Sequence, residues 1–324
     1  MRLVESVGQV PAGSSVRVEL DGPDDLEAVR RWCEATGNTV LMVHADAVEV
    51  LRGRVADPLD ALSPDRRPGH RLWIYTNFHC NLACDYCCVS SSPRAPQRII
   101  GTAELRQIVD QAAAAGVAEL YLTGGEPFML VDLDERIRVA TSALPTTVLT
   151  NAMLWQGERL RRLASLPRED LTLQISLDSA TPELHDRHRG EGSFARALEG
   201  IRTAVEAGFR VRVAATLGTD AGDAEADLTR LFDDLDLDAD QRVVRRVARQ
   251  GAANAGLTVS RASLLPEVCV TAEGVWWHPV AATDPAMKVS DHWSPLASTI
   301  EKVRDEYRSH RISGDVLAST FPCA

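Results

Sequence analysis

The sequence predicts an α/β fold, a parallel sheet with helices outside it, preceded by a small α+β unit and followed by an irregular extension. From Arg71 onward, strand-like and helix-like segments alternate at roughly 25–35 residues per repeat, the spacing of a strand plus its crossover helix. A stretch rich in Pro, Asp and Arg separates this region from the beginning of the chain, and the alternation stops near residue 250. The expected boundaries are 1–58 for the small unit, 59–70 for the linker, 71–250 for the core and 251–324 for the extension. Alternation of this kind fits either an open sheet or an incomplete barrel.

In the small unit, Val16 to Leu20 alternates apolar and polar residues as a strand does. Asp24-Asp25 then opens an amphipathic helix through Leu26, Val29, Trp32 and Cys33 that stops at Gly37, and Thr39–Val43 and Ala47–Leu51 read as two further strands. In the core, the expected strands are Leu72–Thr76, Glu119–Thr123, Thr147–Leu149, Leu171–Leu177, Arg210–Thr216 and Val243–Val247. Between them lie helical patterns at Thr102–Ala115, Asp132–Ser142, Gly157–Leu166, Ser193–Ala207 and Ala224–Leu235, two of them followed directly by Gly116 and Gly208. The extension holds Cys269, a hairpin-like turn at Thr271-Ala272-Glu273-Gly274, an exposed-looking Trp276-Trp277-His278, and a last helix over Pro295–His310. It reads as a lid or docking element.

Composition narrows the function. The 324 residues carry 46 acidic and 35 basic side chains, a formal charge of −11, and only 5% aromatic residues. Such a balance disfavours nucleic acid or an anionic membrane as the main partner. No stretch approaches the ~18 apolar residues of a membrane span, and no signal-like apolar core follows Met1-Arg2-Leu3-Val4-Glu5, so a cytoplasmic protein is expected. Four of the seven cysteines fall between Cys80 and Cys88, which in a reducing compartment points to metal ligation or redox chemistry.

Cys80-x-x-x-Cys84-x-x-Cys87 follows the first core strand, and Gly124-Gly125-Glu126-Pro127 and Asp178-Ser179 follow later ones. In parallel sheets, reactive groups gather at the carboxyl ends of strands, so the three loops are expected at one mouth. Thiolates suit an iron–sulfur core, and three of them leave one corner of a cubane open. Zinc is the alternative if His79 or Cys88 closes its tetrahedron, and buried core cysteines are the third.

The segment Cys80-Asn81-Leu82-Ala83-Cys84-Asp85-Tyr86-Cys87 resembles the signature of radical S-adenosylmethionine enzymes, and Gly124-Gly125-Glu126-Pro127 resembles their methionine-binding turn. Ile175-Ser176-Leu177-Asp178-Ser179 and the run His185 to Phe194 are similar to the branch that carries SPASM or twitch extensions. The resemblance covers about 71–250 and implies a partial (β/α)6 barrel. It further implies a [4Fe–4S] cluster on Cys80, Cys84 and Cys87 whose open iron chelates S-adenosylmethionine. The 5′-deoxyadenosyl radical released on reduction then takes hydrogen from a substrate C–H bond. An external donor such as flavodoxin or ferredoxin supplies the electron. Tyr86, Gly124, Gly125, Glu126, Pro127, Ser176, Asp178, Arg189 and Arg212 are the expected cofactor-binding residues, with the glycines admitting the methionine closely and Arg189 placed in a charged loop. Cys88 and Cys323 are candidate hydrogen donors to a substrate radical.

The chain departs from that branch after Cys269, where the dense later cysteines are missing and only Cys323 remains, so a single cluster is expected. Val10-Pro11-Ala12-Gly13 through Asn38 resembles the latter half of the TusA-like sulfur carriers, without their persulfide cysteine; Cys33 is read as core. No winged-helix leader-binding element is recognisable, which places a small metabolite ahead of a ribosomal peptide as substrate. A cluster-bearing sensor without turnover is the reading outside enzymology.

Overall fold

The computed structural model describes residues 2–20, 23–44, 46–54, 57–218 and 224–312. The described residues divide into two compact units, one built from 2–68 together with Ser260–Pro266 and 301–312, the other from Gly69–Val259 and Glu267–Ile300.

In the first unit, α1 (Arg2–Gln9), β1 (Ser15–Glu19), α2 (Pro23–Thr36), β2 (Thr39–Val43) and β3 (Ala47–Leu51) form an antiparallel sheet in the order β1-β3-β2 with two helices. Its core is Leu3, Val7, Val18, Val29, Cys33, Val48 and Val50. Helix α1 was not anticipated, although Leu3 and Val7, one turn apart, are the residues it buries. Burial pushes the Cys33 thiol up to about 11, as befits a packed side chain.

The second unit alternates β4 (Arg71–Tyr75), α3 (Thr102–Ala114), β5 (Glu119–Thr123), α4 (Leu133–Thr141), β6 (Thr146–Thr150), α5 (Gly157–Ala164), β7 (Leu171–Ser176), α6 (Pro182–Arg189), α7 (Ser193–Glu206), β8 (Arg210–Leu217), α8 (Ala224–Asp234) and β9 (Arg242–Arg246). The six strands are parallel and neighbour one another in chain order. Crossovers of one hand that always step the same way put every helix on one face of the sheet. On that face Leu72, Ile74, Leu120, Leu122, Val148, Leu173, Ile175 and Val213 are fully buried. The alternate residues, among them Trp73, Tyr121, Leu149, Gln174, Ser176, Arg212 and Thr216, therefore share the opposite, concave face.

The extension is more regular than its composition suggests. β10 (Cys269–Thr271), β11 (Gly274–Trp276) and β12 (Lys288–Ser290) continue the same sheet beyond β4, with β10 parallel to β4, β11 antiparallel to β10 and β12 antiparallel to β11, giving nine strands among the described residues. Joining the sheet covers the segment expected to be exposed: Trp276, Trp277 and His278 are all buried, and Trp276 Nε1 donates to Thr271 Oγ1 at 3.0 Å. The last helix, α9 (Leu296–Ile312), starts in this unit. Cys323 lies outside the described residues.

Candidate active site

The loop after β4 brings Cys80, Cys84 and Cys87 to the carboxyl edge of the sheet, Cys80 buried and the other two half-buried. Burial, with the neighbouring Glu126 charge and the other two thiols, pushes Cys80 up to about 12; burial pushes Cys84 up to about 11, with Cys87 adding to it. The three sulfurs thus lie close enough to feel one another's charge. Among the described residues no three His, Cys, Asp or Glu side chains could hold a single metal ion. A cubane asks for something else, because each of its thiolates sits on a different iron. Donors already face the sulfurs: Leu82 N–H lies 3.4 Å from Cys80 Sγ, Ser91 N–H 3.2 Å from Cys87 Sγ, and Asn151 Nδ2 3.9 Å from Cys80 Sγ. N–H groups so placed favour the thiolate over the thiol and fit a cluster.

The glycine turn after β5 packs against this loop. A Cβ on Gly125 would stand 2.1 Å from His79 O, and one on Gly124 would stand 2.5 Å from Asn77 O. The pair is therefore required by the approach of two backbones, which Gly125 N–H to Asn77 O at 3.0 Å and Glu126 N–H to His79 O at 3.1 Å then join. Asn77 Nδ2 adds bonds to the carbonyls of His79 and Glu126, at 2.9 and 3.1 Å. Pro127 opens a short 3-10 helix, Pro127–Met129, capped by the Glu126 carboxylate. That carboxylate is fully buried and accepts from Phe128 N–H and Thr150 Oγ1 on one oxygen and from Asn151 N–H on the other, at 3.0, 2.8 and 2.8 Å. Burial outweighs these donors and raises its pKa to about 7.

Asp178, just past β7, is a hub. Its buried carboxylate pairs with Arg189, accepts from the Tyr86 hydroxyl, and takes Thr216 N–H at 2.8 Å. Burial alone would raise the Asp178 pKa, but the charge and hydrogen bonds of Arg189 hold it below the carboxylate range. Arg189 is the last residue of α6, with its side chain 10% exposed, and not part of a surface loop. Other residues of the same run are scaffold. His185 Nδ1 accepts from Asp178 N–H at 3.1 Å, Asp186 accepts from Gly192 N–H and Phe194 N–H at the start of α7, and His188 Nδ1 lies 2.9 Å from Asp85 Oδ2 in the cysteine loop. Helix α6 thus grips the loop at Asp85 and Tyr86, the two residues between Cys84 and Cys87.

Ser176 ends β7 half-buried, with its hydroxyl making no hydrogen bond among the described residues, and Arg212 on β8 donates to Tyr121 Oη at 3.3 Å. Cys88 meets the Tyr75 hydroxyl, and burial, with the neighbouring Cys87 adding to it, pushes its thiol up to about 12. Sequence reasoning missed Asn77, Asn151, His188 and Gly251. Gly251 has φ +60°, and a Cβ on it would stand 2.4 Å from Cys87 O, while the next N–H, of Ala252, bonds that carbonyl at 2.9 Å. Asn151 was findable, since it directly follows a strand on the edge where Cys80, Gly124 and Asp178 follow theirs.

Residues 74–235, half of the chain, match the model of the radical SAM superfamily. The mycofactocin maturase MftC of Mycobacterium ulcerans (strain Agy99) is 36% identical over 138 residues, 42% of this chain and 36% of that protein. The AdoMet-dependent heme synthase of Methanosarcina barkeri (strain Fusaro / DSM 804) is 34% identical over 140 residues, 43% of this chain and 40% of that protein. The chain thus matches well under half the length of these curated relatives. Among solved structures, Streptococcus suis SuiB bound to precursor peptide SuiA is similar in fold, with a TM-score of 0.52 at 18% identity over 84% of this chain and 56% of that one. The sheet whose strand ends carry the cysteine loop and the glycine turn is the sheet of a known family, and the chain belongs to the radical SAM superfamily.

Proposed function

We propose that this chain cleaves S-adenosylmethionine reductively and uses the resulting radical to modify a peptide in a biosynthetic maturation. The observation that carries the cleavage is the convergence of three thiols, the Gly124-Gly125-Glu126 turn and the Asp178 hub at one carboxyl edge of one sheet. The names of two similar proteins, a maturase and a structure bound to a precursor peptide, support the peptide over the small metabolite that the sequence favoured. The heme synthase at 34% identity keeps a small-molecule substrate as the second reading.

In this reading a [4Fe–4S] cluster on Cys80, Cys84 and Cys87 supplies the binding site and the electron with which the cofactor's C5′–S bond is opened. The protein's own part is placement. Of the four lone-pair sites on the Glu126 carboxylate, three are taken by protein donors, so one is left for an ammonium of the cofactor. The Ser176 hydroxyl is available at the end of β7 on the concave face. Asp178 and Arg189 neutralise each other and act through Tyr86, which they hold in place within the cysteine loop. Cys88, hydrogen-bonded with Tyr75, serves as packing or as hydrogen donor, and Cys323 remains a donor candidate. Anaerobic reconstitution followed by dithionite and S-adenosylmethionine is expected to yield 5′-deoxyadenosine. Failure to form it, with iron fully loaded, would sink the cleavage reading in favour of a sensor. Deuterium passing into 5′-deoxyadenosine from a labelled peptide encoded beside this gene is the expected sign of the peptide.

A further inference from the structure

Just past the end of β6, one residue reaches both halves of the site. The Cys80 sulfur meets the Asn81 amide oxygen, Leu82 N–H and Asn151 Nδ2, and the Glu126 carboxylate meets Phe128 N–H, Thr150 Oγ1 and Asn151 N–H. Among the described residues only Asn151 belongs to both sets. Its backbone N–H donates to Glu126 Oε2 at 2.8 Å. Its side-chain Nδ2 donates to Asn81 Oδ1 at 2.9 Å and lies 3.9 Å from Cys80 Sγ, so one amide nitrogen serves two consecutive residues of the cysteine loop. The plain role of a buried asparagine beyond a strand is to shape the turn, and Asn151 does this as well: its Oδ1 accepts from Met153 N–H, two residues on, at 3.0 Å. That turn needs only an acceptor, which a serine hydroxyl also supplies. The nitrogen half of the amide does nothing for the turn and is given wholly to the cysteine loop.

A donor facing a thiolate stabilises negative charge on sulfur, and negative charge is what a cluster gains on reduction. The Glu126 charge acts on the same Cys80 sulfur in the opposite sense. A cofactor held at one end by Glu126 and at the other by a cluster that Cys80 anchors is sensitive to the spacing of the two. We infer that Asn151 is a positioning residue that ties the Glu126 carboxylate to the Cys80 ligand, raising the reduction potential of the cluster and fixing the spacing that the cofactor must span. This rests on the proposed cleavage of S-adenosylmethionine and adds to it the residue that links the cofactor seat to the cluster.

The test uses the full chain, anaerobically reconstituted, as wild type, Asn151→Ser and Asn151→Ala. Serine keeps an acceptor for Met153 N–H but is too short to reach the cysteine loop, and alanine keeps neither function. The midpoint potential is read by a titration followed by electron paramagnetic resonance, without S-adenosylmethionine. The dissociation constant of S-adenosylmethionine is read by equilibrium dialysis against the oxidised, loaded chain. Loss of one hydrogen bond to the sulfur shifts the ratio of reduced to oxidised cluster at a fixed poise about three- to tenfold, which is ~30–60 mV for a one-electron couple. Both variants are expected to titrate more negative by that amount and to bind S-adenosylmethionine at least about threefold more weakly, with iron per chain as in the wild type. Asn151→Ser, which keeps the turn, should melt within about 4 °C of the wild type, and Asn151→Ala lower. An unchanged or raised potential in Asn151→Ser would leave the residue only its turn and overturn the inference. An unchanged cofactor affinity, a loss of iron, or a larger fall in the melting temperature of Asn151→Ser would each overturn it too, the last two by making Asn151 a residue of assembly or folding. If the loaded wild type yields no 5′-deoxyadenosine, the cleavage reading fails instead, while the potentials still decide what Asn151 does to the cluster.

Discussion

Substitution of Gly125 by alanine tests the claim that the glycine turn exists for the approach of two backbones. The φ of Gly125 lies outside the left-handed region, so alanine is conformationally acceptable and only space opposes it. The new Cβ would stand 2.1 Å from His79 O and 2.5 Å from His79 C, and both are backbone atoms that cannot swing aside. Restoring an ordinary contact of 3.4 Å means parting the turn from the cysteine loop by about 1.3 Å. That displacement strains Glu126 N–H to His79 O and Gly125 N–H to Asn77 O, bonds of 3.1 and 3.0 Å. Overpacking costs about 1–3 kcal/mol and the two hydrogen bonds ~1 kcal/mol each, offset by ~0.4–1 kcal/mol from the stiffer unfolded chain. A net loss of about 2–4 kcal/mol corresponds, for a chain of 324 residues, to a fall in melting temperature of roughly 3–6 °C. Circular dichroism of the metal-free chain measures this, and iron per chain after anaerobic reconstitution measures the displaced loop. Gly8→Ala, whose Cβ meets nothing within 4 Å, is the control and should melt no lower than the wild type. A Gly125→Ala chain that melts within about 1 °C of the wild type and loads its iron fully would refute the reasoning.

Asp178→Asn should destabilise the chain by about 3–5 kcal/mol in urea unfolding near neutral pH, because it leaves Arg189 charged, buried and unpaired. Since Arg189 holds the Asp178 carboxyl below its ordinary 3.8, the stabilisation is complete above that value and is lost as pH falls through the lower folded one. Acid unfolding of the variant should therefore lack this component. Glu126 behaves in the opposite sense: with its pKa raised from 4.5 to about 7, the folded state keeps a proton that the unfolded state gives up, so stability falls as pH rises between those values. The whole span is worth about 3 kcal/mol. It is read as the difference in urea midpoint between Glu126→Gln and wild type from pH 5 to 8, because His185 and His278, held neutral by burial at about 4 and 3, tilt the wild-type curve the other way. Cys88→Ser should load iron as the wild type does, whereas Cys84→Ser should not; equal loss in both would make Cys88 a ligand.

The fold was legible where one periodicity decides it, and the site only where residues announce themselves by type. Six strands and their helices follow from apolar alternation and glycine stops, yet α6 shows no helical period and Arg189 reads as a loop residue, because seven of the helix's eight residues are polar or proline. Its helix is held by what it grips, Asp178, Asp85 and Tyr86, and none of those contacts leaves a trace in local periodicity. Trp276 and Trp277 look exposed for the converse reason: three-residue strands carry too little pattern to reveal that they join the main sheet, which β10 enters by pairing with β4. The cysteines, the glycine pair and Asp178 could be chosen from sequence because few other residues do their chemistry. The physical reason for the glycines could not, since it lies in Asn77 and His79, more than forty residues away. Gln174 shows where such reading could go further. A lone amide among Leu173, Ile175 and their neighbours sits in phase with Thr172 and Ser176 on the face away from the helices. On a strand buried from both sides, a polar residue in that phase is costly unless something later meets it, so the phase of polar residues in the core strands is the sequence signal for what this sheet binds.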